Sequence, residues 1–555
     1  MIDRIWANAI IKSCLNVGID HFFVAPGSRC TPLTLAIAGQ PDAKVIQHFD
    51  ERGLAYAALG FGKATGRPGV FVCTSGTAVA NAFPAVIESS MEKVPLLLFT
   101  ADRPSELHGT GANQTIDQQK IFGNYPELAL HMPVPQDQES PTDPTGQQFL
   151  SESIHQAFSA SNHGPVHLNW MFREPFTISK TESNETLDST NPPPPFPVSE
   201  SNVNDSPAIQ VTGNLLIALG SCRPAEAQQA VRLAKRLNSP LLSDVTSGVN
   251  AGSFELPVQF SLPRPDTILH LGGRIVSKSW LQWTDSIRDS GTKFIHVSST
   301  GQSINPNRLE QDRYRNNFSN LDSTITGTPT TDDFRDAWQS ANDARNKILD
   351  RELANSKKLN EPAIAFLVSK NCPPDNGLFV GNSMPIRDID WFASSKHQEI
   401  RLVEANRGAS GIDGLIATAV GYACGIKRPT SLVLGDLSTL HDINSLALLG
   451  KSQWPLIVIV INNHAGHIFD QLPIRDSQHF EQFFATPHTF HFEHAAKMFQ
   501  VEYCCPKDCQ EFADKYCEAL KQNRTMIFEL KTDRQYNTTV RQKIKEEVQR
   551  CSDQT

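Results

Sequence analysis

The chain has 555 residues, a length that suggests three or four domains with ample hydrophobic core. Its formal net charge is −9, with 50 lysines and arginines against 59 aspartates and glutamates, which argues against a nucleic-acid partner. Residues 1–10 contain an acid and a base without a continuous apolar run, so we expect no secretory signal. The longest apolar stretches fall far short of the ~20 residues of a membrane span. We therefore expect a large cytoplasmic enzyme without an integral membrane segment.

The eleven cysteines are odd in number and scattered, which argues against a disulfide framework and favours a reducing compartment. Four of them lie close together in the sequence, namely Cys504, Cys505, Cys509 and Cys517. A zinc site is conceivable there, but no paired C-x-x-C spacing is present. Surface or half-buried thiols are the simpler interpretation.

Short apolar runs alternate with helical stretches in the N-terminal part of the chain. The predicted strands cover residues 21–24, 45–49, 69–73 and 95–99. Strands that alternate with helices predict a parallel sheet covered on both faces. A loop with polar residues follows each strand, and ligands of open α/β sheets bind at such carboxyl-end loops.

The rest of the chain continues this α/β pattern. Strands are predicted at residues 215–219, 241–242, 267–271 and 294–297, and again at 378–381, 400–403, 432–436 and 456–461. We expect domains at residues 1–180, 208–340 and 341–555, with a Pro- and Ser-rich linker at 181–207. Each domain should be a mainly parallel sheet flanked by helices. Val540, Ile544 and Val548, spaced by four, predict a closing amphipathic helix.

Two polar residues follow neighbouring strands of the last domain. Asp436 comes after one apolar strand and Asn463 after the next. Oxygen ligands on adjacent strand ends can share a hard cation such as Mg²⁺, which usually keeps phosphate oxygens among its ligands. Helix N-terminal amides after Gly435 would add anion binding. An aspartate in a Gly-Asp turn often only caps a helix, but the paired arrangement favours a metal and diphosphate site.

The spacing between Gly435-Asp436 and Asn462-Asn463 resembles the signature of thiamine-diphosphate-dependent enzymes. The block HFDERGLAYAALGFGKATG at residues 48–66 resembles their pyrimidine-binding domain. The resemblance implies the thiamine-diphosphate-binding fold, with Mg²⁺ or Mn²⁺ held by Asp436, Asn463 and the backbone carbonyl of Ala465. It implies these cofactor contacts: Glu51, Ser383, Ile412, Gly435, Asp436, Leu437, Ser438, Asn463, Ala465 and Ile468. Leu437 stands where most of these enzymes have glycine, a departure that one branch shares.

Glu51 follows a predicted strand and opens a helix, where an acidic residue most simply interacts with the helix dipole. The resemblance implies a catalytic role instead. In this family the glutamate forms a hydrogen bond with a nitrogen of the aminopyrimidine ring. The imino group of the cofactor can then take up the C2 proton. The cofactor then serves as an electron sink for loss of carbon dioxide from a 2-oxo acid. Ile412 is expected between the two rings of the cofactor, although plain packing is an alternative.

Five strings resemble one branch, the 2-succinyl-5-enolpyruvyl-6-hydroxy-3-cyclohexene-1-carboxylate synthases of menaquinone biosynthesis. They are APGSR at 25–29, FTADRP at 99–104, GANQTIDQ at 111–118, GNSMPIR at 381–387 and NRGASGIDG at 406–414. The resemblance implies decarboxylation of 2-oxoglutarate and addition of the succinyl carbanion equivalent to isochorismate. It covers both outer domains, and the middle domain is less distinctive.

Both of these substrates are dicarboxylic, and the planar fork of arginine binds carboxylates in two-point fashion. Any one arginine is more often a surface salt-bridge partner, but four follow predicted ligand loops. The expected substrate-binding residues are Ser28, Arg29, Arg103, Asn113, Gln114, Lys278, Arg387, Arg407, Phe469 and Leu472, and of these Ser28 and Arg29 are also expected to be catalytic with Glu51. Core packing is the alternative for Phe469 and Leu472. Relatives often follow Lys278 with arginine, whereas Ser279 stands here.

Two other functions are compatible with parts of this pattern. Another thiamine-dependent lyase, such as acetohydroxyacid synthase or a 2-oxo acid decarboxylase, would use smaller and more apolar substrates and would not need four arginines. A non-catalytic subunit would have no need of Glu51, Asp436 and Asn463. The resemblance further implies a homodimer or homotetramer in which two subunits share each active site.

Overall fold

The computed structural model describes residues 2–135, 144–174, 176, 208–301, 303–316, 318–395 and 400–553. The described strands form two six-stranded sheets, one five-stranded sheet and one two-stranded ladder, and all strand pairs are parallel. The predicted α/β class is confirmed. The predicted linker lies outside the described residues.

The first sheet has the strand order β2-β1-β3-β4-β6-β5. Its strands are β1 (His21–Val24), β2 (Lys44–Gln47), β3 (Gly69–Cys73), β4 (Leu96–Asp102), β5 (Leu128–Met132) and β6 (Pro165–Met171). The helices of this part are α1 (Ile2–Asn16), α2 (Thr31–Ala38), α3 (Glu51–Thr65), α4 (Thr77–Asn81), α5 (Phe83–Glu92) and α6 (Pro144–Ser161). The inner strands β1, β3, β4 and β6 are buried along their whole length, as expected of a parallel sheet covered on both faces.

The central sheet has the order β12-β11-β10-β8-β9, and β7 pairs with β13 beside it. The strands are β7 (Ile209–Val211), β8 (Leu215–Leu219), β9 (Leu241–Ser243), β10 (Thr267–Leu271), β11 (Lys293–Ser298), β12 (Asp312–Arg315) and β13 (Ile325–Gly327). The helices are α7 (Pro224–Arg236), α8 (Leu256–Gln259), α9 (Lys278–Ser286) and α10 (Leu321–Thr324). The expected boundary at residue 340 would fall within the helix that follows, and the domain limits stay predictions.

The third sheet repeats the strand order of the first, as β15-β14-β16-β17-β19-β18. Its strands are β14 (Gly377–Val380), β15 (Leu402–Glu404), β16 (Thr430–Gly435), β17 (Leu456–Asn462), β18 (Glu502–Cys504) and β19 (Met526–Lys531). The helices are α11 (Asp332–Leu353), α12 (Glu361–Asn371), α13 (Met384–Phe392), α14 (Leu415–Ile426), α15 (Asp436–His441), α16 (Glu493–Met498), α17 (Cys509–Lys521) and α18 (Arg534–Ser552). Further helical turns, of the 3-10 or π type, cover Ile443–Lys451, His467–Gln471, Pro473–Asp476 and Glu481–Ala485. The predicted closing helix is α18, with Ile544 and Val548 buried.

The first and third sheets share one hydrophobic core. Alternate residues of β17 face opposite sides, so that Leu456, Val458 and Val460 belong to the shared core while Ile457 and Ile459 face the outer helices. Helices α3, α5 and α14 fill the layer between the two sheets. None of the described helices is long and apolar enough to cross a membrane.

Glycines allow α3 and α14 to approach closely at the centre of this layer. A Cβ at Gly421 would lie 1.8 Å from the carbonyl oxygen of Ala57, and a Cβ at Gly60 would lie 2.0 Å from that of Thr418. Because both obstacles are backbone atoms, a side chain at either position would force the helices apart. The contact fixes how the first and third sheets lie against each other.

We therefore expect Gly421→Ala to lower the free energy of unfolding by ~1–3 kcal/mol or more, because overpacking at this crossing displaces backbone. Denaturant unfolding measures the change. Gly450→Ala is the matched control, since a Cβ at Gly450 meets no atom within 4 Å, and it should shift stability by no more than ~0.5 kcal/mol. Equal effects of the two substitutions would contradict the close approach.

Candidate active site

Loops after β1, β3 and β4 bring several predicted residues together at the carboxyl edge of the first sheet. The guanidinium of Arg103 donates to the Ser75 hydroxyl and, at 2.9 Å, to the carbonyl of Gln114. The side-chain amide of Gln114 in turn donates to the Ser75 carbonyl at 2.8 Å. Ser28 and Asn113 are exposed at the same edge. Ser75 was not among the predicted residues, and it links the loops after β3 and β4.

Arg29 is buried beside this group. Its guanidinium donates to the carbonyl of Phe172 at 3.0 Å and to the Glu174 carboxylate at 2.6 Å. Burial lowers the pKa of Arg103, and the charge of Arg29 lowers it further. The two predicted arginines therefore form one cationic pair. The Glu174 side chain is 64 % exposed, so an incoming carboxylate could replace it on Arg29.

Glu51 is the first residue of α3 and follows β2, at the same edge. The helix begins with Asp50 as its N-cap, which accepts from the backbone N–H groups of Arg52 and Gly53. Capping is thus performed by the preceding aspartate, so Glu51 is not needed for it. Its carboxylate accepts a hydrogen bond of 3.4 Å from the Asn81 amide.

A second group lies at the carboxyl edge of the third sheet, around Asp436. One carboxylate oxygen of Asp436 accepts from the N–H of Leu437 at 2.7 Å. The other oxygen, Oδ2, is buried and has no hydrogen-bond partner among the described residues, although His488 Nε2 lies 3.3 Å from it. Burial raises the pKa of Asp436 to about 6. A Cβ at Gly435 would meet no atom within 4 Å, so there is open space beside the carboxylate.

Asn463 is held in place by a residue that the sequence did not single out. Its amide nitrogen donates to the Glu361 carboxylate at 2.8 Å, while its amide oxygen accepts from the N–H of Ala465 at 3.2 Å. Glu361 is buried and paired with Arg541. The sequence signal for Glu361 was only its place at the start of a helix.

These residues fit a divalent cation and a diphosphate. A buried carboxylate oxygen that accepts no hydrogen bond costs free energy that a cation would offset. Ser438 and Leu437 lie in the first turn of α15, whose N–H groups can bind phosphate oxygens. Ser383 precedes α13 at the adjacent strand end. No group of three or more His, Cys, Asp or Glu side chains that could hold a metal occurs in the described part of the chain, the C-terminal cysteines included.

Arg387 and Arg407 form a second arginine pair, near the Asp436 group. Arg407 donates to the amide oxygen of Asn382 at 2.7 Å, and Arg387 donates to the carbonyl of Ser383. Burial lowers the pKa of Arg387, and the charge of Arg407 lowers it further. In the strand order β15-β14-β16, Arg387 follows β14, which is the neighbour of the strand that leads to Asp436, and Arg407 follows β15, one strand further away.

The remaining predicted residues lie on loops and at helix starts. Ile412 is 37 % exposed after β15, which leaves it free to contact a ligand. Phe469 packs on Phe484 with ring centroids 5.9 Å apart, whereas Leu472 is exposed. Ile468 lies beside Phe469 in a short turn of helix. Lys278 begins α9 and is exposed, and Ser279 after it donates to Glu255 at 2.9 Å.

The two groups of residues do not meet directly. Among residues that the structure describes, no hydrogen bond or ion pair joins Glu51, Arg29 or Arg103 to Asp436 or Asn463. The first sheet thus offers an edge with a glutamate and an arginine pair. The third sheet offers an edge with Asp436, Asn463 and a second arginine pair.

Comparisons with known proteins divide the chain into an N-terminal, a middle and a C-terminal part. The family model described as "Thiamine pyrophosphate enzyme, N-terminal TPP binding domain" matches residues 6–121. The "Middle domain of thiamine pyrophosphate" model matches residues 209–380, and the "Thiamine pyrophosphate enzyme, C-terminal TPP binding domain" model matches residues 397–530. A solved structure of a putative thiamin diphosphate-dependent enzyme from Mycobacterium smegmatis has the same fold, with a TM-score of 0.66 at 13 % identity over 95 % of this chain and 99 % of that one.

Fold and site together define a thiamine-diphosphate-dependent enzyme, and thiamine diphosphate is its cofactor. Relatives named 2-succinyl-5-enolpyruvyl-6-hydroxy-3-cyclohexene-1-carboxylate synthase cover nearly the whole chain. One from Pelodictyon phaeoclathratiforme is 38 % identical over 97 % of this chain and 94 % of its own length. One from Salinibacter ruber is 36 % identical over 99 % and 97 %. The chain belongs to this family of synthases.

We expect thiamine diphosphate with Mg²⁺ to raise the melting temperature of the wild-type protein. At a ligand concentration 100 times Kd the gain in unfolding free energy is ~2.7 kcal/mol. Asp436→Ala should abolish most of the shift, because it removes the unpartnered buried oxygen. Differential scanning fluorimetry measures the shift in melting temperature. The control is Asp285→Ala, which breaks an exposed ion pair with Arg288. A full shift in Asp436→Ala would refute the assigned cation site.

Proposed function

We propose that the protein decarboxylates 2-oxoglutarate and joins the remaining succinyl unit to isochorismate, giving 2-succinyl-5-enolpyruvyl-6-hydroxy-3-cyclohexene-1-carboxylate and carbon dioxide. The step belongs to menaquinone biosynthesis. The observation that carries the proposal is the arginine pair Arg387 and Arg407, two half-buried like charges whose pKa values are both lowered. Such a pair is stabilised by an anion, and both proposed substrates are dicarboxylates.

The names of the relatives support this reaction over the other lyases. Acetohydroxyacid synthases and simple 2-oxo acid decarboxylases act on smaller, more apolar substrates and would leave the half-buried pair Arg387 and Arg407 without a carboxylate. Four arginines at two sheet edges match a reaction with two dicarboxylic substrates better. We assign Arg29, Arg103, Arg387, Arg407 and Lys278 to carboxylate binding, and Ser28, Asn113 and Gln114 to neutral hydrogen bonds.

In the proposed site each edge has its own task. Thiamine diphosphate, when bound, supplies the electron sink that decarboxylation requires. Asp436, Asn463 and the carbonyl of Ala465 would hold Mg²⁺ or Mn²⁺, and the first turn of α15 would hold the diphosphate. Glu51 would hold a proton on the pyrimidine ring. Ser383, Ile412, Ile468, Phe469 and Leu472 would shape the walls.

We propose that the enzyme is at least a homodimer in which Glu51 of one subunit faces the Asp436 group of the other. Within one chain, over the described ranges, no hydrogen bond or ion pair joins Glu51 to Asp436 or Asn463, and each edge alone is incomplete. A homotetramer would consist of two such dimers. We also propose that the protein is cytoplasmic, because none of its eleven cysteines, all of which lie in the described ranges, is part of a disulfide.

The function is tested by the loss of isochorismate absorbance on incubation with 2-oxoglutarate. We expect consumption that requires thiamine diphosphate and a divalent cation, because the first supplies the electron sink and the second holds its diphosphate. Pyruvate in place of 2-oxoglutarate is the control, and it should support little or no consumption since it lacks the second carboxylate. Equal rates with pyruvate, or no consumption of isochorismate, would contradict the proposed substrates and favour another thiamine-dependent lyase.

A further inference from the structure

Two carboxylates of helix α5 hold the loop that carries Arg407. We call residues 405–411 the Arg407 loop. Glu92 accepts from the backbone N–H of Arg407 at 2.7 Å, and Glu88, one helical turn earlier, accepts from those of Gly408 at 2.8 Å and Ala409 at 2.6 Å. Only 1 % of Glu88 is exposed. Three consecutive backbone N–H groups of the loop after β15, in the third sheet, are thus bound by side chains of α5, which lies between β3 and β4 of the first sheet.

The carbonyl groups of the same loop accept hydrogen bonds from the central part of the chain. Arg274 donates to the carbonyls of Arg407 at 3.0 Å and Gly408 at 2.7 Å. A Cβ at Gly408 would lie 2.7 Å from the carbonyl oxygen of Glu88, so only glycine allows this approach. All three parts of the chain therefore meet at the Arg407 loop, and its backbone has little freedom to shift.

A buried lysine balances the carboxylates. The side chain of Lys63 is 2 % exposed, and it donates to Glu92, to Glu404 at 3.4 Å and to the carbonyl of Ala405 at 2.9 Å. Burial alone would lower the pKa of Lys63, but the neighbouring carboxylates raise it. Burying Lys63 and Glu88, beside the partly exposed Glu92 and Glu404, costs free energy that simple packing would avoid. Their contacts with the Arg407 loop suggest a purpose beyond stability.

We propose that Glu88 is a positioning residue, which fixes the Arg407 loop so that the Arg407 guanidinium stays beside Arg387, ready for a substrate carboxylate. The inference rests on the proposed function, because it assigns Arg407 to substrate binding. The guanidinium itself donates to Asn382, whose amide also donates to the carbonyls of Asn406 and Gly411. Side chain and loop backbone are therefore oriented together. Glu88 acts on the substrate through Arg407 and touches no reacting atom.

The test is Glu88→Gln in the full-length holoenzyme. Glutamine keeps the size of the side chain but turns an amide nitrogen toward one of the two N–H donors, so that one bond is lost and two donors face each other. We expect KM to rise about tenfold for isochorismate or for the 2-oxo acid. The turnover number and the affinity for thiamine diphosphate with Mg²⁺ should stay within about threefold, because the Asp436 group is untouched. Glu127→Gln, which breaks the half-exposed pair with Lys93 just past α5, should leave all of these unchanged.

Hydrogen exchange of the peptide that spans the Arg407 loop provides a readout independent of turnover. We expect faster exchange in Glu88→Gln than in wild type. If Glu88→Gln does not fold, Glu92→Gln removes one bond to Arg407 at a more exposed carboxylate and should shift KM and exchange in the same direction. Unchanged KM values and exchange would overturn the proposal, as would an equal loss of cofactor affinity, which indicates a purely structural role. A wild type that consumes no isochorismate would instead refute the proposed function, while the exchange result would still decide whether Glu88 fixes the loop.

Discussion

The architecture depends on the close contact of α3 and α14. Each helix lies on the inner face of its own six-stranded sheet, and at their crossing Gly60 and Gly421 leave no space for a side chain. Helices that approach this closely bury a continuous apolar layer, which is the main source of stability for two sheets that share one core. The same helices begin beside the loops of the site. Glu51 opens α3, and the loop with Arg407 and Ile412 leads into α14, so packing in the layer also sets the positions of the groups at the two edges.

Charge is distributed in a way that a net value of −9 conceals. Arginines are gathered in pairs at the carboxyl ends of parallel strands, Arg29 with Arg103 and Arg387 with Arg407. Behind the second pair, Glu88 and Glu92 accept from backbone amides of the Arg407 loop, while the Arg407 guanidinium donates to Asn382. A local positive site attracts dicarboxylic substrates, while the overall negative charge of the protein repels polyanions. The carboxylates of α5 thus bind the backbone of the loop, and in the proposed function the arginines bind the substrate carboxylates.

Much of this could be predicted from the sequence, because buried parallel strands appear as continuous apolar runs. The strands at 69–73, 215–219 and 267–271 were predicted to the residue. Ser75, Glu361 and Glu88 were missed for a common reason. Each acts on a residue distant in the sequence, and a lone serine or glutamate in a loop or helix gives no local signal of such a partner. Some predicted strand ends differ from the observed ones by a few residues. At β2 the predicted strand covers residues 45–49, but the observed one ends at Gln47, because the residues after it leave the ladder to reach the N-cap of α3.

Complementation between two inactive variants tests most directly whether two chains build each site. Glu51→Gln disables one edge and Asp436→Ala the other, so neither homodimer should turn over substrate. Co-expressed in equal amounts and allowed to pair at random, they should form heterodimers in which one of two sites is intact, and the mixture should recover about a quarter of wild-type activity. A mixture as inactive as its parents would contradict the account, since it would mean that both edges must come from the same chain.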